Sequence, residues 1–298
     1  MKTFVFVYGT LRKYERNHQI LESSLCKSMQ ARVKGHLYDT DNNYPALVTS
    51  GTNGFVYGEV YEVDEETLLK LDQLEGYKSN RTSNLFDRVP VEIYTDQEIL
   101  TGVTYVAGEI CELQEKIELG DWRVYQYLNQ KPAKVYYYAY GSCMDQERFR
   151  LANVDSYFQN EVGAGRLHGY SMKYVIAVHD GGRADIIEDG DQMEGLLYDC
   201  PPEVIDYLFE REGVYSQLYR PTLVDITVGD NVYLSCLTFK VVHSRDEIVP
   251  PLHYAREILR GSKGKVSNEY YQRLVHQLKN LEFDLTHEDI QELVKDHC

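Results

Sequence analysis

Two short motifs in this 298-residue sequence carry residues suited to anion binding and proton transfer, and each occurs twice. One is Tyr8-Gly9-Thr10-Leu11, which breaks the apolar run begun at Phe4; its second copy is Tyr140-Gly141-Ser142-Cys143. The other is a Glu-Gly step, Glu75-Gly76 and Glu212-Gly213, which follows its Tyr-Gly partner after a similar stretch of chain. A strand that stops in a turn offers backbone N–H groups to an anion, and glycine lets a ligand come close to that backbone. A glutamate at a helix end, flanked by Leu74 and Gly76 or by Arg211 and Gly213, is placed for partial desolvation, which favours its protonated form and suits it to general acid/base work. Tyr8 and Tyr140 are read as rings that cap a core at the strand end, not as proton donors.

The elements that must position these residues repeat with them. The segment GEVYEVDEETLLKLDQLEGY, residues 58–77, aligns without a gap to GLLYDCPPEVIDYLFEREGV, residues 195–214, pairing Gly58 with Gly195, Tyr61 with Tyr198, Leu71 with Leu208 and Glu75 with Glu212. FDRVPVEIY at 86–94 answers LYRPTLVDI at 218–226. Units of this length are tandem domains and not solenoid repeats. The polar step Asn129-Gln130-Lys131-Pro132 marks the seam, so the domains are expected at 1–132 and 133–298.

Each half follows one plan. An apolar strand (2–8; 133–140) enters the Tyr-Gly motif, and a helix is expected next, over RNHQILESSL (16–25) and MDQERFRLAN (144–153). β-rich segments follow, then a short helix (64–73; 201–211) with acidic residues in its first turn and a glycine at its end. Strands and helices do not alternate, which predicts an α+β fold built on mixed or antiparallel β-barrels, not a Rossmann sheet. The remaining chain reads as helices, with Ser267 and Thr286 as N-caps and Thr286 with Asp289 as a capping box.

Composition narrows the function. Asp and Glu number 47 against 31 Lys and Arg, a balance that repels phosphate backbones and anionic membranes, so neither nucleic acid nor membrane is an expected partner. The apolar runs are strand-sized and the N-terminus resembles no secretory signal, which predicts a cytoplasmic protein. The six cysteines (Cys26, Cys111, Cys143, Cys200, Cys236, Cys298) form no C-x-x-C pair and read as reduced thiols, with no metal site expected. Gly163, Gly165 and Gly169 miss the dinucleotide-binding spacing, and RGSKGKVS has Val266 where a phosphate loop needs Ser or Thr. The abundance of tyrosine, 26 copies against one Trp, suits half-buried strands.

The same residues resemble the γ-glutamylcyclotransferase-like superfamily over nearly the whole chain. Within this superfamily, which includes the γ-glutamylamine cyclotransferases and the AIG2-like proteins, YGTLRKYERNHQIL, YPAL at 44–47, GEVYEV, LDQLEGY, FDRVPVEIY and GDWRVYQYL resemble the γ-glutamylamine cyclotransferase branch; AYGSCM, GGRADIIE, MEGLLYD, FEREGVYSQLYR and PPLHYAREILRG resemble the γ-glutamylcyclotransferase branch proper. The resemblance implies two tandem mixed β-barrels with flanking helices, no metal or organic cofactor, and a small γ-glutamyl substrate. Matched position by position, the acid/base falls on Glu75 and Glu212, and the pocket loop on Tyr8, Gly9, Thr10, Leu11 and on Tyr140, Gly141, Ser142, Cys143. The second branch usually carries Asn where this sequence has Cys143, which removes an amide donor from the second loop.

That chemistry suits the residue types. In a γ-glutamyl amide the α-amine attacks its own γ-carbonyl, closing 5-oxoproline and expelling an amine, so a carboxylate and an anion cradle suffice. Two rivals share the sequence: a thiol amidohydrolase using Cys143 with His168 or His179, and a γ-glutamyl-binding or scaffold protein with one or both sites degenerate. The first repeat has Leu11 at the thiol position, which counts against the former. Specificity for the leaving amine is expected from the loops at 39–54 and 78–87, and Arg88 and Arg220 are read as ion-pair supports.

Overall fold

The computed structural model describes residues 2–49 and 53–295; Cys298 and positions 50–52 of the expected specificity loop lie outside them. The chain separates into two compact units, residues 1–130 and 131–298.

In the first unit β1 (Thr3–Val7), β2 (Leu25–Lys34), the hairpin of β3 (His36–Asp39) with β4 (Pro45–Val48), and β5 (Phe55–Val63) precede α1 (Glu65–Leu74); β6 (Phe86–Tyr94), β7 (Ile99–Ala107) and α2 (Trp122–Asn129) follow. Five strands close a barrel in the order β1-β5-β2-β6-β7. All ladders are antiparallel except the closing one, where Val5 of β1 meets Val103 of β7 in parallel.

The second unit contains β8 (Val135–Ala139), α3 (Gln146–Leu151), β9 (Glu161–Val178), β10 (Gly181–Cys200), α4 (Val204–Arg211), β11 (Tyr219–Val228), β12 (Asn231–Val241), α5 (Leu252–Ser262), α6 (Asn268–Asn280) and α7 (Glu288–Val294). Its barrel, β10-β8-β12-β11-β9, has the same cyclic order, and its closing parallel pair, Tyr137 with Leu237, falls at the matching place. The expected α+β architecture of two mixed barrels with flanking helices is therefore the observed one. No helix among the described residues is long and apolar enough to cross a membrane.

Successive strand side chains face opposite sides, and β1 and β5 are buried on both: Phe6 and Val60 join one core cluster, and their chain neighbours Val5, Val7 and Tyr61 join another. Val5, Val7, Tyr61, Val63 and Leu71 form one buried cluster that seats α1 on the first barrel. Gly58 and Gly195 share one reason to exist: a Cβ there would lie 2.2 Å from the Val7 carbonyl oxygen and 2.4 Å from that of Ala139, respectively. These glycines let the central strand press against β1 or β8 just before the Tyr-Gly motif. Helix α1 starts at Asp64, whose carboxylate accepts the Thr67 N–H, and both α1 and α4 end at glycines with left-handed backbone, Gly76 (φ 69°) and Gly213 (φ 62°).

Two expected local features are absent. Residues 16–25 form no α-helix: a single 3-10 turn occupies His18–Ile20, and Leu25 already belongs to β2. Successive three-residue turns (Arg12 N–H to Gly9 O, Glu15 to Arg12, His18 to Glu15) and the left-handed Tyr14 (φ 72°) keep this loop folded back on the Tyr-Gly motif. The pinning comes from Arg12, buried and ion-paired with Glu59 at 3.2 Å and Asp121 at 2.7 Å, partners distant in sequence. Ser267 caps α6 as expected, its hydroxyl accepting the Tyr270 N–H. Thr286 does not cap α7; its hydroxyl donates to Asp284, and His287 caps the helix through Nδ1.

Candidate active site

In the first unit Tyr8 to Leu11 follow β1 directly, and Glu75 is the C-cap of α1, just before Gly76 reverses the chain. Strand end and helix end meet at one mouth of the barrel and line a cavity of about 220 Å³ with Tyr44, Pro45, Leu85 and Phe86. The last four come from the segments expected to set specificity. The N–H groups of Gly9, Thr10 and Leu11 donate to no acceptor among the described residues. They are the unsatisfied donors that an anion can fill.

The Glu75 carboxyl makes no hydrogen bond or ion pair with another described residue, while its backbone N–H donates to the Leu71 carbonyl at 3.0 Å. Burial alone pushes its carboxyl up to about 7, and the negative end of the α1 dipole acts in the same direction. Tyr8 is structural: its buried hydroxyl donates to the Tyr105 carbonyl at 2.8 Å and accepts the Leu47 N–H at 3.3 Å, which ties the motif to β7 and β4. Tyr105 in turn donates to Asp72, which Arg88 holds in an ion pair at 2.8 Å.

In the second unit Tyr140 to Cys143, Glu212 and Tyr254 line a cavity of about 350 Å³. The N–H groups of Gly141, Ser142 and Cys143 again have no acceptor among the described residues. Tyr140 repeats the role of Tyr8, its hydroxyl donating to the Phe239 carbonyl at 2.7 Å. Glu212 differs from Glu75. Its side chain is 17% exposed and lies 3.6 Å from the Arg211 Nε and 3.7 Å from the Cys143 Sγ. Burial raises its proton affinity while Arg211 and the Cys143 contact oppose the rise. Arg211 donates to Cys143 Sγ at 3.1 Å and reaches Ser142 Oγ at 3.5 Å, so one guanidinium spans the loop and the carboxylate.

Of the histidines considered with Cys143, His179 lines this cavity and His168 does not; the hydrogen bonds of the thiol run to Arg211 and Glu212. Arg220 is buried and does not line the cavity. The structure adds residues that no motif singled out. Arg16 lines the first cavity and Arg148 the second, at the same offset from their tyrosines, a regularity that the repeat alignment contains but does not flag as functional. Arg183, paired with Asp180 and lying over the Tyr254 ring, belongs to the GGRADIIE stretch of the long β9–β10 hairpin, where the motif by itself assigns it no role.

The described residues include no group of three or more His, Cys, Asp or Glu side chains able to hold a metal ion. The arrangement can bind an anion on backbone donors beside a carboxyl that exchanges a proton near neutral pH.

Sequence and structure comparisons agree with this duplicated geometry. The family described as "Gamma-glutamyl cyclotransferase, AIG2-like" matches residues 5–124, and the AIG2-like family matches residues 192–274. The protein "Putative gamma-glutamylcyclotransferase YkqA" of Bacillus subtilis (strain 168) is 41% identical over 94% of this chain and 99% of its own. The crystal structure of YkqA superposes with a TM-score of 0.85 over the same shares. The γ-L-glutamyl-butirosin B γ-glutamyl cyclotransferase of Niallia circulans is 40% identical over 41% of this chain and 76% of its own. A tandem pair of γ-glutamylcyclotransferase-like barrels, matched along nearly its whole length, places this chain in the AIG2-like γ-glutamylcyclotransferase family.

Proposed function

We propose that the protein is a γ-glutamylcyclotransferase that converts a γ-glutamyl amide or amine into 5-oxoproline and the free amine. The observation that carries this reading is the shared cavity: Glu75 stands with the unpaired N–H groups of Gly9 to Leu11, and Glu212 with those of Gly141 to Cys143. The substrate α-carboxylate or the developing oxyanion takes the backbone donors. The α-ammonium gives a proton to the glutamate, the freed amine attacks the γ-carbonyl, and the lactam C–N bond forms as the original amide C–N bond breaks. The glutamic acid returns that proton to the leaving nitrogen, and the glutamate then takes the second proton shed by the new lactam nitrogen and passes it to the expelled amine, which departs as an ammonium, so neither water nor a side-chain nucleophile is consumed.

A carboxyl that titrates near 7, as burial makes Glu75 do, can accept and return a proton at neutral pH. Both reacting groups belong to one molecule, and holding it folded supplies part of the roughly 7–11 kcal/mol that favourable intramolecular geometry is worth. No step calls for a cofactor. Names of relatives that specify γ-glutamyl substrates support the class of substrate.

The second barrel admits another role, retention of a γ-glutamyl ligand without turnover. It is favoured by the contact of Arg211 with Cys143 and Glu212, which occupies the thiol and the carboxylate and opposes the rise in proton affinity that burial gives Glu212. Incubation with γ-glutamyl amino acids, γ-glutamyl amines and ε-(γ-glutamyl)-lysine, with 5-oxoproline read by mass spectrometry, tests both roles. Release is expected from the wild type and its loss from the Glu75→Gln, Glu212→Gln double variant. Undiminished release from that variant would sink the mechanism.

A further inference from the structure

The first cavity runs from a buried floor, with Tyr8 7% and Leu11 5% exposed, to an open rim formed by Arg16 and Leu74. Arg16 is exposed and makes no hydrogen bond or ion pair with a described residue. Such a cation is conspicuous on a chain of net charge −16. Its counterpart in the second unit, Arg148, also lines its cavity, but there Glu257 of α5 neutralises it. Helix α2 follows β7 as α5 follows β12, yet it turns a cation, Arg123, toward the Arg16 loop, where it lies 5.4 Å from the Tyr14 ring. The adjacent carboxylate, Glu15, faces Arg123 and Arg12 as well as Arg16. The cavity-lining arginine is thus repeated, on a turn in one unit and on α3 in the other, while its neutralising partner is not.

Resting on the cyclotransferase reading, we propose that Arg16 determines the specificity of the first site by receiving a carboxylate carried by the leaving amine. The glutamyl half must put its γ-carbonyl beside Glu75 and its own carboxylate near the backbone donors at the floor. The leaving half therefore points to the rim, where Arg16 meets it. Apolar Leu74 and Leu85 line the same cavity and accept the aliphatic part of that group. The first barrel accordingly favours γ-glutamyl amino acids and peptides over γ-glutamyl derivatives of uncharged amines.

The test compares γ-glutamyl-alanine with γ-glutamyl-ethylamide in the full chain carrying Glu212→Gln, with and without Arg16→Gln. A charge-assisted contact at a solvated rim predicts a rise of about tenfold in KM for γ-glutamyl-alanine, with kcat within about twofold and the ethylamide unaffected. Arg16→Lys, which keeps the charge, should recover most of the loss. An equal rise for both substrates would place Arg16 on the glutamyl half, and no change for either would leave it without a role; each outcome overturns the proposal. If no 5-oxoproline forms at all, calorimetric binding of the same two compounds still decides. Binding of γ-glutamyl-alanine weakened about tenfold at one of two sites, with the ethylamide unaltered, supports the proposal even where the cyclisation reading fails, and unaltered binding of both overturns it.

Discussion

Arg211 donates from Nε to the Cys143 sulfur at 3.1 Å and stands 3.6 Å from Glu212 Oε1, whereas the aligned positions of the first barrel, Leu74 and Leu11, are both aliphatic. One site thus holds its carboxyl without a counter-charge, and the other holds it beside a fixed cation.

This difference predicts separate pH profiles. Activity that survives in Glu212→Gln should rise with an apparent pKa near 7 as Glu75 ionises, because burial holds it at about 7. Activity that survives in Glu75→Gln should have an acid limb that depends on Arg211, whose charge opposes the rise that burial gives Glu212. Replacing Arg211 by Leu removes the cation, so that limb should move to higher pH. An acid limb that stays in place would show that Arg211 does not tune Glu212.

Glu75 also predicts a link between function and stability. Its folded-state pKa lies above the ordinary value of 4.5, so the unfolded chain releases this proton first and folding loses stability as pH rises from about 4.5 to 7. Glu75→Gln should cut first-site turnover by about 10²–10⁴-fold while stabilising the fold by about 1–3 kcal/mol at pH 8. The gain should vanish near pH 4, where wild type and variant are both neutral. Thermal melts at the two pH values check this, and a variant less stable at pH 8 contradicts it.

Cys143 tests the rival thiol chemistry. Cys143→Ser keeps an acceptor for Arg211 and should change second-site 5-oxoproline release by less than about threefold, because the proposed reaction forms no acyl-enzyme. Loss of all turnover in this variant would favour a thiol nucleophile instead.

Arg12 predicts a cost in stability confined to the first loop. The second unit has Met144 at the position aligned with Arg12 and Leu196 at the one aligned with Glu59, an apolar pair where the first unit has a charged one. Arg12→Met leaves Glu59 and Asp121 buried without their cation and should cost about 3–5 kcal/mol. Denaturant unfolding reads the loss. Adding Glu59→Leu should restore part of it, since one stranded carboxylate is then removed.

Part of this architecture is legible in the amino-acid sequence alone. The ungapped match of residues 58–77 to 195–214 is a one-dimensional pattern, and it suffices to reveal duplication. The Asp64 cap and the Glu-Gly endings are local as well, because a cap and a left-handed residue depend on near neighbours. The segment 16–25 misleads because its spacing of apolar residues fits a helix, while the interactions that hold it as turns reach across the barrel: Arg12 to Glu59 and Asp121. The α7 cap is a smaller case, in which Asp284 captures the Thr286 hydroxyl and His287 takes the capping role.

The sequence by itself determined the duplication, the mixed α+β class and the residue types at each strand and helix end, all of which follow from periodicity and from short-range backbone preference. Tertiary structure decided which strands close the barrels, since pairing Val5 with Val103 or Tyr137 with Leu237 joins residues about a hundred positions apart. It also decided the inequality of the two glutamates. Arg211 precedes Glu212 in the sequence and Leu74 precedes Glu75, but only a folded barrel aims that guanidinium at Cys143 and leaves Arg16 open at the rim of the other cavity. Burial and charge pairing arise from the packing of distant segments, and it is these that set what each carboxyl can do.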